Sequence, residues 1–193
     1  MARFYHIDRA GQLKRGNVIK LTRCDNLNPK DLQYHVELLF PEGVSKHGDT
    51  YSKKQVITQK NDGSLNADIN SIIELLFEYV RRSNYSHRPS RFQSFFAFES
   101  QDEATDFRKN FCDSKGDLWE VECNDVQAFK ADMSNLNFDD SLSTISYRAS
   151  CYWEGRRNPD TSKTPIWEVL LTPPVSAVKK INSTTIKRPT YFE

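Results

Sequence analysis

The sequence predicts an α+β fold with a mainly antiparallel or mixed sheet. Three observations predict it. Short apolar runs bounded by turn residues recur along the chain and read as strands. Two segments, at 67–82 and from about residue 100, place apolar side chains at helical spacing. These elements follow one another without the regular strand–helix–strand rhythm of a doubly wound sheet.

Phe4-Tyr5-His6-Ile7 reads as an opening strand. Leu13 to Leu21 follows, with Gly11 and Gly16 as turn residues and Val18-Ile19 as a short apolar centre. Residues 22–31 are polar and contain Asn28-Pro29, a loop signature. Leu32 to Phe40 fits helix or strand equally. From 41 to 65 the composition shifts to Gly, Ser, Lys, Asp and Asn, which predicts a long mobile loop. The clearest helix spans 67–82, where Ile69, Ile72, Ile73, Leu76, Phe77 and Val80 form one apolar stripe. Asn66 or Ser64 would cap it, and Arg81-Arg82 suit its negative end.

Pro89 sets an extended entry to a buried strand at Ser94 to Phe98. Ser100 and Glu103 make a capping box for a helix that carries Ala104, Phe107 and Phe111. Leu118 to Cys123 alternates Trp119 and Val121 with Glu120 and Glu122, which reads as a solvent-facing edge strand. A helix over 139–153 ending at Gly155 and a polar loop at 156–165 precede a strand at Ile166 to Leu171. Thr172-Pro173-Pro174 turns the chain into a last strand at Val178 to Ile181. The chain divides into one domain, 1–182, and a polar C-terminal tail, 183–193.

Composition bounds the function. Lys+Arg is 27 and Asp+Glu is 26, so net charge names no partner. Arg81-Arg82, His87-Arg88, Arg91, Arg148, Arg156-Arg157 and Lys179-Lys180 punctuate the second half, as a phosphate-binding cleft or as ordinary surface charge. Cysteines at 24, 112, 123 and 151 show no C-x-x-C and no zinc-like spacing, which fits a reduced, cytoplasmic chain with no metal. Met1-Ala2-Arg3-Phe4-Tyr5-His6 has no long apolar stretch, so no signal peptide is expected, and the longest apolar-rich window, 69–80, carries Glu74 and Glu78 and is too short to span a bilayer. The absence of a Gly-rich phosphate loop, of H-E-x-x-H and of G-x-S-x-G disfavours kinases, P-loop ATPases, zinc proteases and α/β-hydrolases.

Glu168 is the leading chemical candidate. It lies between Ile166 and Leu170 on one face of an apolar strand, where a carboxylate is costly unless paired or used. His6 can hold a ligand hydroxyl through one ring nitrogen, or it is a half-exposed strand residue. Arg91 can meet a phosphate and Ser94 a ligand or a carboxylate, or they are a loop cation and a strand-start serine. Glu120 and Glu122 are rivals to Glu168. Trp153 stacks on a planar ring or packs in the core.

Three patches together resemble the ADP-ribosyltransferase superfamily. They are Tyr5-His6 in the opening strand, Ser90-Arg91-Phe92-Gln93-Ser94-Phe95-Phe96-Ala97 leading into a helix, and Trp167-Glu168-Val169-Leu170-Leu171 followed by prolines. Their order matches the superfamily's His or Arg, then Ser or Tyr, then Glu strands. The middle patch is also similar to a bacterial and phage family with a Pro-Ser-Arg-Phe-x-Ser run. The resemblance implies a split mixed or antiparallel β-sheet core with flanking helices. It implies NAD as substrate, cleaved at the nicotinamide–ribose bond, with Glu168 catalytic and Tyr5, His6, Arg91 and Ser94 on NAD. There is no clean Ser-Thr-Ser, and no Glu-x-Glu precedes Glu168, which shifts the expected acceptor from arginine toward RNA, DNA or another side chain. A toxin of a toxin–antitoxin or phage-defence system, with an antitoxin partner and no membrane association, is the implied setting. The alternatives are a non-catalytic nucleic-acid- or protein-binding module on a degenerate transferase fold, and a site like that of RNA 2′-phosphotransferases.

Overall fold

The computed structural model describes residues 2–123 and 128–181. The expected tail at 183–193 lies outside them. The architecture is α+β, and every strand pair among the described residues is antiparallel.

Two sheets form the frame. The first contains β1 (Ala2–Asp8), β6 (Asp117–Cys123), β9 (Val175–Ile181) and β2 (Val18–Ile19), in that spatial order. The second contains β5 (Phe95–Ala97), β8 (Trp167–Leu171) and β7 (Phe129–Asp132), in that order. A bridge joins them, with Tyr5 N donating to Phe98 O at 2.9 Å and Phe98 N to Tyr5 O at 2.7 Å. β6 is therefore an interior strand. Glu120 is buried and meets Arg3 and Lys179 at 3.2 and 3.0 Å, so the expected edge strand is corrected to an ion-paired central one.

Strand alternation sorts the core into layers. Between the sheets lie Phe4, Trp119, Val121 and Val175 from one sheet and Ala97, Val169 and Leu171 from the other. On the opposite face of the three-stranded sheet, Phe129, Ala131 and Leu170 meet α3 (Ile69–Asn84) and α5 (Leu142–Trp153) through Ile73, Phe77, Ala149, Tyr152 and Trp153. Trp153 is a core residue whose Nε1 donates to Phe77 O at 2.8 Å. The outer face of the four-stranded sheet packs Ile7 and Leu118 under Ala104 of α4 (Gln101–Phe111), which starts on the expected Ser100–Glu103 capping box.

The ambiguous segment before Phe40 is helical, α1 (Lys30–Leu39). The stretch expected as a mobile loop holds α2 (Lys46–Lys53) and a hairpin of β3 (Ile57–Gln59) and β4 (Leu65–Ala67). Local chemistry explains both. Ser45 accepts from Gly48 N at 3.2 Å as an N-cap, and its own N–H donates to Phe92 O at 2.8 Å. The hairpin turns at Gly63, whose φ of 82° favours glycine. The cap of α3 is Asp68, with Asn66 instead in β4.

Candidate functional site

The face of β8 decides where Glu168 goes. Val169 and Leu171 fill the space between the sheets, so Glu168 and Leu170 point the other way, under α3 and α5. Glu168 is only 3% exposed there. A lone carboxylate at that depth is untenable, and the surroundings supply its partners.

Arg91 is the main partner. It sits in a single 3-10 turn, Arg91–Gln93, that Ser90 caps through Phe92 N. Its Nη1 donates to Glu168 Oε1 and to the Tyr152 hydroxyl. Nε and Nη2 grip Glu74 at 2.9 and 3.0 Å. Tyr152 in turn donates to Glu168 Oε1 at 2.7 Å. The guanidinium also lies over the Phe96 ring at 4.7 Å. His47 of α2 stands at the outer end, its Nε2 3.1 Å from Glu74 Oε1 in a contact that lacks hydrogen-bond geometry. α2, α3, the Arg91 turn, α5 and β8 thus meet at one buried polar cluster.

Electrostatics follows from this geometry. Burial works against charge on Glu74, but Arg91 and His47 outweigh it and hold its carboxyl down to about 2. Burial likewise opposes charge on Arg91, and Glu168 and Glu74 override it, keeping the guanidinium protonated. Burial pushes the Tyr152 hydroxyl well up, so it remains a donor.

The other expected residues take different positions. His6 shares a face with Phe4, against the inter-sheet core, and its ring lies 4.3 Å from that of Phe95. His6 Nδ1 is 2.7 Å from Phe96 O. A carbonyl only accepts, so Nδ1 carries the proton and Nε2 is a bare acceptor. Burial lowers the pKa of His6, with the Phe96 carbonyl opposing. Tyr5 points to the opposite face of β1, among the α4 contacts. Ser94 is buried and donates to Ser90 O at 2.7 Å, not to Glu168. The structure therefore brings Arg91 and Glu168 together, sets His6 on another sheet face, and spends Arg91 on carboxylates rather than leaving it open to phosphate.

The expected phosphate track near 81–91 is also engaged. Arg81 and Arg82 both donate to Glu78, and Arg88 donates to Trp153 O at 3.2 Å. Arg148 and Arg156 pair with Asp139 and Glu154.

Sequence reasoning missed Glu74, Tyr152 and His47. The signal for Glu74 was present. Glu74 and Glu78 are one helical turn apart within an apolar helix, and α3 buries both while Ile69 is left 43% exposed. No His, Cys, Asp and Glu grouping suited to a metal occurs among the described residues. None of their helices is long and apolar enough to cross a membrane.

No curated protein matches this chain. A protein family does match over residues 4–183, nearly the whole length, and its description is "Protein of unknown function (DUF2441)". With that coverage, the chain belongs to the DUF2441 family.

Proposed function

We propose that this chain is an NAD-dependent ADP-ribosyltransferase that modifies a macromolecule, with Glu168 as the carboxylate that stabilises positive charge on the ribose as nicotinamide leaves. One observation carries the reading. The strands bearing Tyr5-His6, the Ser94 patch and Glu168 lie side by side, β1 bridged to β5 and β5 laddered to β8. The order of the split sheet, β7-β8-β5 joined to β1-β6-β9, supports the same superfamily core. In this reading His6 accepts a hydrogen bond from a ligand hydroxyl or amide through Nε2. Arg91 acts as a latch on Glu168. It grips Glu74 through two nitrogens and Glu168 through one, so Glu168 can turn toward substrate while the guanidinium stays paired. A toxin or phage-defence role, with RNA, DNA or protein as acceptor and an antitoxin as partner, belongs to the proposal.

A second reading has its own observation. Glu168 is almost fully buried and already hydrogen-bonded by Arg91 and Tyr152, as a structural carboxylate would be. A non-catalytic binding module follows from that. Labelled NAD incubated with separate RNA, DNA and protein fractions distinguishes the two. Transfer of label by the native chain, lost in a folded Glu168→Gln variant, is the expected result. Full labelling by Glu168→Gln defeats the role assigned to Glu168, and absence of NAD turnover on every fraction favours the binding module.

A further inference from the structure

Residues 9–24 contain five basic side chains, Arg9, Lys14, Arg15, Lys20 and Arg23, and no Asp or Glu. The rest of the chain has 22 basic and 26 acidic residues, so the near-neutral total of +1 conceals a segment of +5. This segment links β1 to β2 and continues to the Thr22–Val44 bridge. It is fixed in place. Asp8 accepts from Ala10 N and Leu13 N at 3.1 and 2.7 Å, and a turn from Lys14 to Asn17 is tied to β9 by Gly16 N to Ala177 O at 2.8 Å.

All five cations are exposed. None forms an ion pair among the described residues, whereas Arg81, Arg82, Arg91, Arg148 and Arg156 all do. Lys46 adds a sixth charge, since its Nζ meets Gln12 of the same segment at 2.6 Å and has no carboxylate partner there. Arg9 directly follows β1, the strand that carries His6, and Lys46 is tied to Gln12, so this end of the segment lies near that strand. A run of one sign costs self-repulsion, and a polyanion relieves it by releasing counterions.

We infer that the segment 9–24, with Lys46, is a docking surface for the phosphate backbone of nucleic acid. The charges sit on exposed side chains of an ordered loop, so the contact is to phosphates and independent of base sequence. The binding itself does not depend on NAD chemistry. Where the proposed transferase reading also holds, its acceptor is nucleic acid delivered next to His6.

The test uses the full chain without NAD, with fluorescent 20-nucleotide RNA and DNA single strands and, separately, phosphatidylserine vesicles. Six phosphate contacts give a slope of log affinity on log salt of about −4.2, or a loss of about 300-fold for a fourfold rise in salt. The Lys14→Gln, Arg15→Gln, Lys20→Gln triple variant changes exposed side chains only. It is expected to keep the native thermal transition, to bind the strands at least 10-fold more weakly, and to flatten the slope by about 2. Unchanged strand affinity and slope in the folded triple variant overturn the inference. Vesicle binding as tight as strand binding also overturns it. Because NAD is omitted, a failure of NAD labelling leaves this result standing, and a failure of strand binding leaves the labelling result standing.

Discussion

Replacing Arg91 with Met tests the buried cluster most directly. Met keeps much of the length and apolar contact of Arg while removing every donor. Glu74 and Glu168 then lie buried without their shared cation. Removing one partner of a buried ion pair costs about 3–5 kcal/mol, a large share of the ~5–15 kcal/mol that holds a domain together. The native side of the ledger gives a similar figure. The gap between about 2 and the ordinary 4.5 for Glu74 corresponds to about 3 kcal/mol of stability linked to its ionisation. The sign of the pH dependence separates this cause from simple loss of packing. In the native chain Glu74 has a depressed pKa, so its contribution is full above about 4.5 and is lost as pH falls toward 2. In the variant, unpaired buried carboxylates have raised pKa values, and protonation on going from pH 7 to 5 restores stability. Urea unfolding at pH 7 and 5 reads both effects. A deficit below about 1 kcal/mol at pH 7, or one that does not shrink at pH 5, would refute the argument.

Two further predictions concern the neighbourhood of the cluster. A Cβ on Gly48 would stand 2.1 Å from Phe92 O, so Gly48→Ala is expected to destabilise by about 2 kcal/mol or more and to raise proteolytic cleavage within 45–67; native-like resistance would contradict the close packing of α2 on the Arg91 turn. His6 is expected to be Nδ1-protonated and to titrate below 6.5, as read from its ring nitrogen shifts by NMR; an Nε2-protonated ring at neutral pH would remove its acceptor role.

The frame was legible where apolar pattern and turn chemistry agreed. β1, β5, β6 and β8, the Ser100–Glu103 capping box and the helix ending before Gly155 all carried such agreement. The segment 41–65 was misread because composition was weighed above local signals. Ser45 at a helix start and Asp62-Gly63 between short runs were both visible. β7 went unread because Phe129–Asp132 is too short to show alternation. At the site, the oddity of Glu168 was readable from its strand, but its companions were not. Arg91 and Glu74 are 17 residues apart, and Tyr152 lies on a separate helix, so only tertiary packing joins them. The apolar stripe of α3 faces the core as its spacing implies, with Ile73 and Phe77 buried and only Ile69 exposed, but the buried face extends beyond it to Glu74 and Glu78. Arg91 from another element makes the burial of Glu74 tolerable, and Arg81 and Arg82, one turn along α3 itself, do the same for Glu78.

In the proposed transferase, Arg91 also sets what Glu168 must give up in order to act. Freeing Glu168 breaks one charge-assisted bond from Nη1 and one hydrogen bond from Tyr152, while both bonds to Glu74 persist. Hydrogen bonds to charged groups are worth about 1.5–3 kcal/mol net, and the part regained on meeting a ribose hydroxyl leaves a deficit of about 2 kcal/mol. A site that must open at that cost binds its ligand about 30-fold more weakly than a preformed one. Glu74 determines the size of the deficit. With Glu74→Gln the guanidinium loses its second carboxylate and holds Glu168 more tightly, so NAD affinity falls further although Glu74 never touches the ligand. Isothermal titration of the native chain and Glu74→Gln with NAD measures this. Equal affinities in two folded proteins would show that Glu168 is not released on binding, and would leave the cluster as a structural tie among α2, α3, α5 and β8.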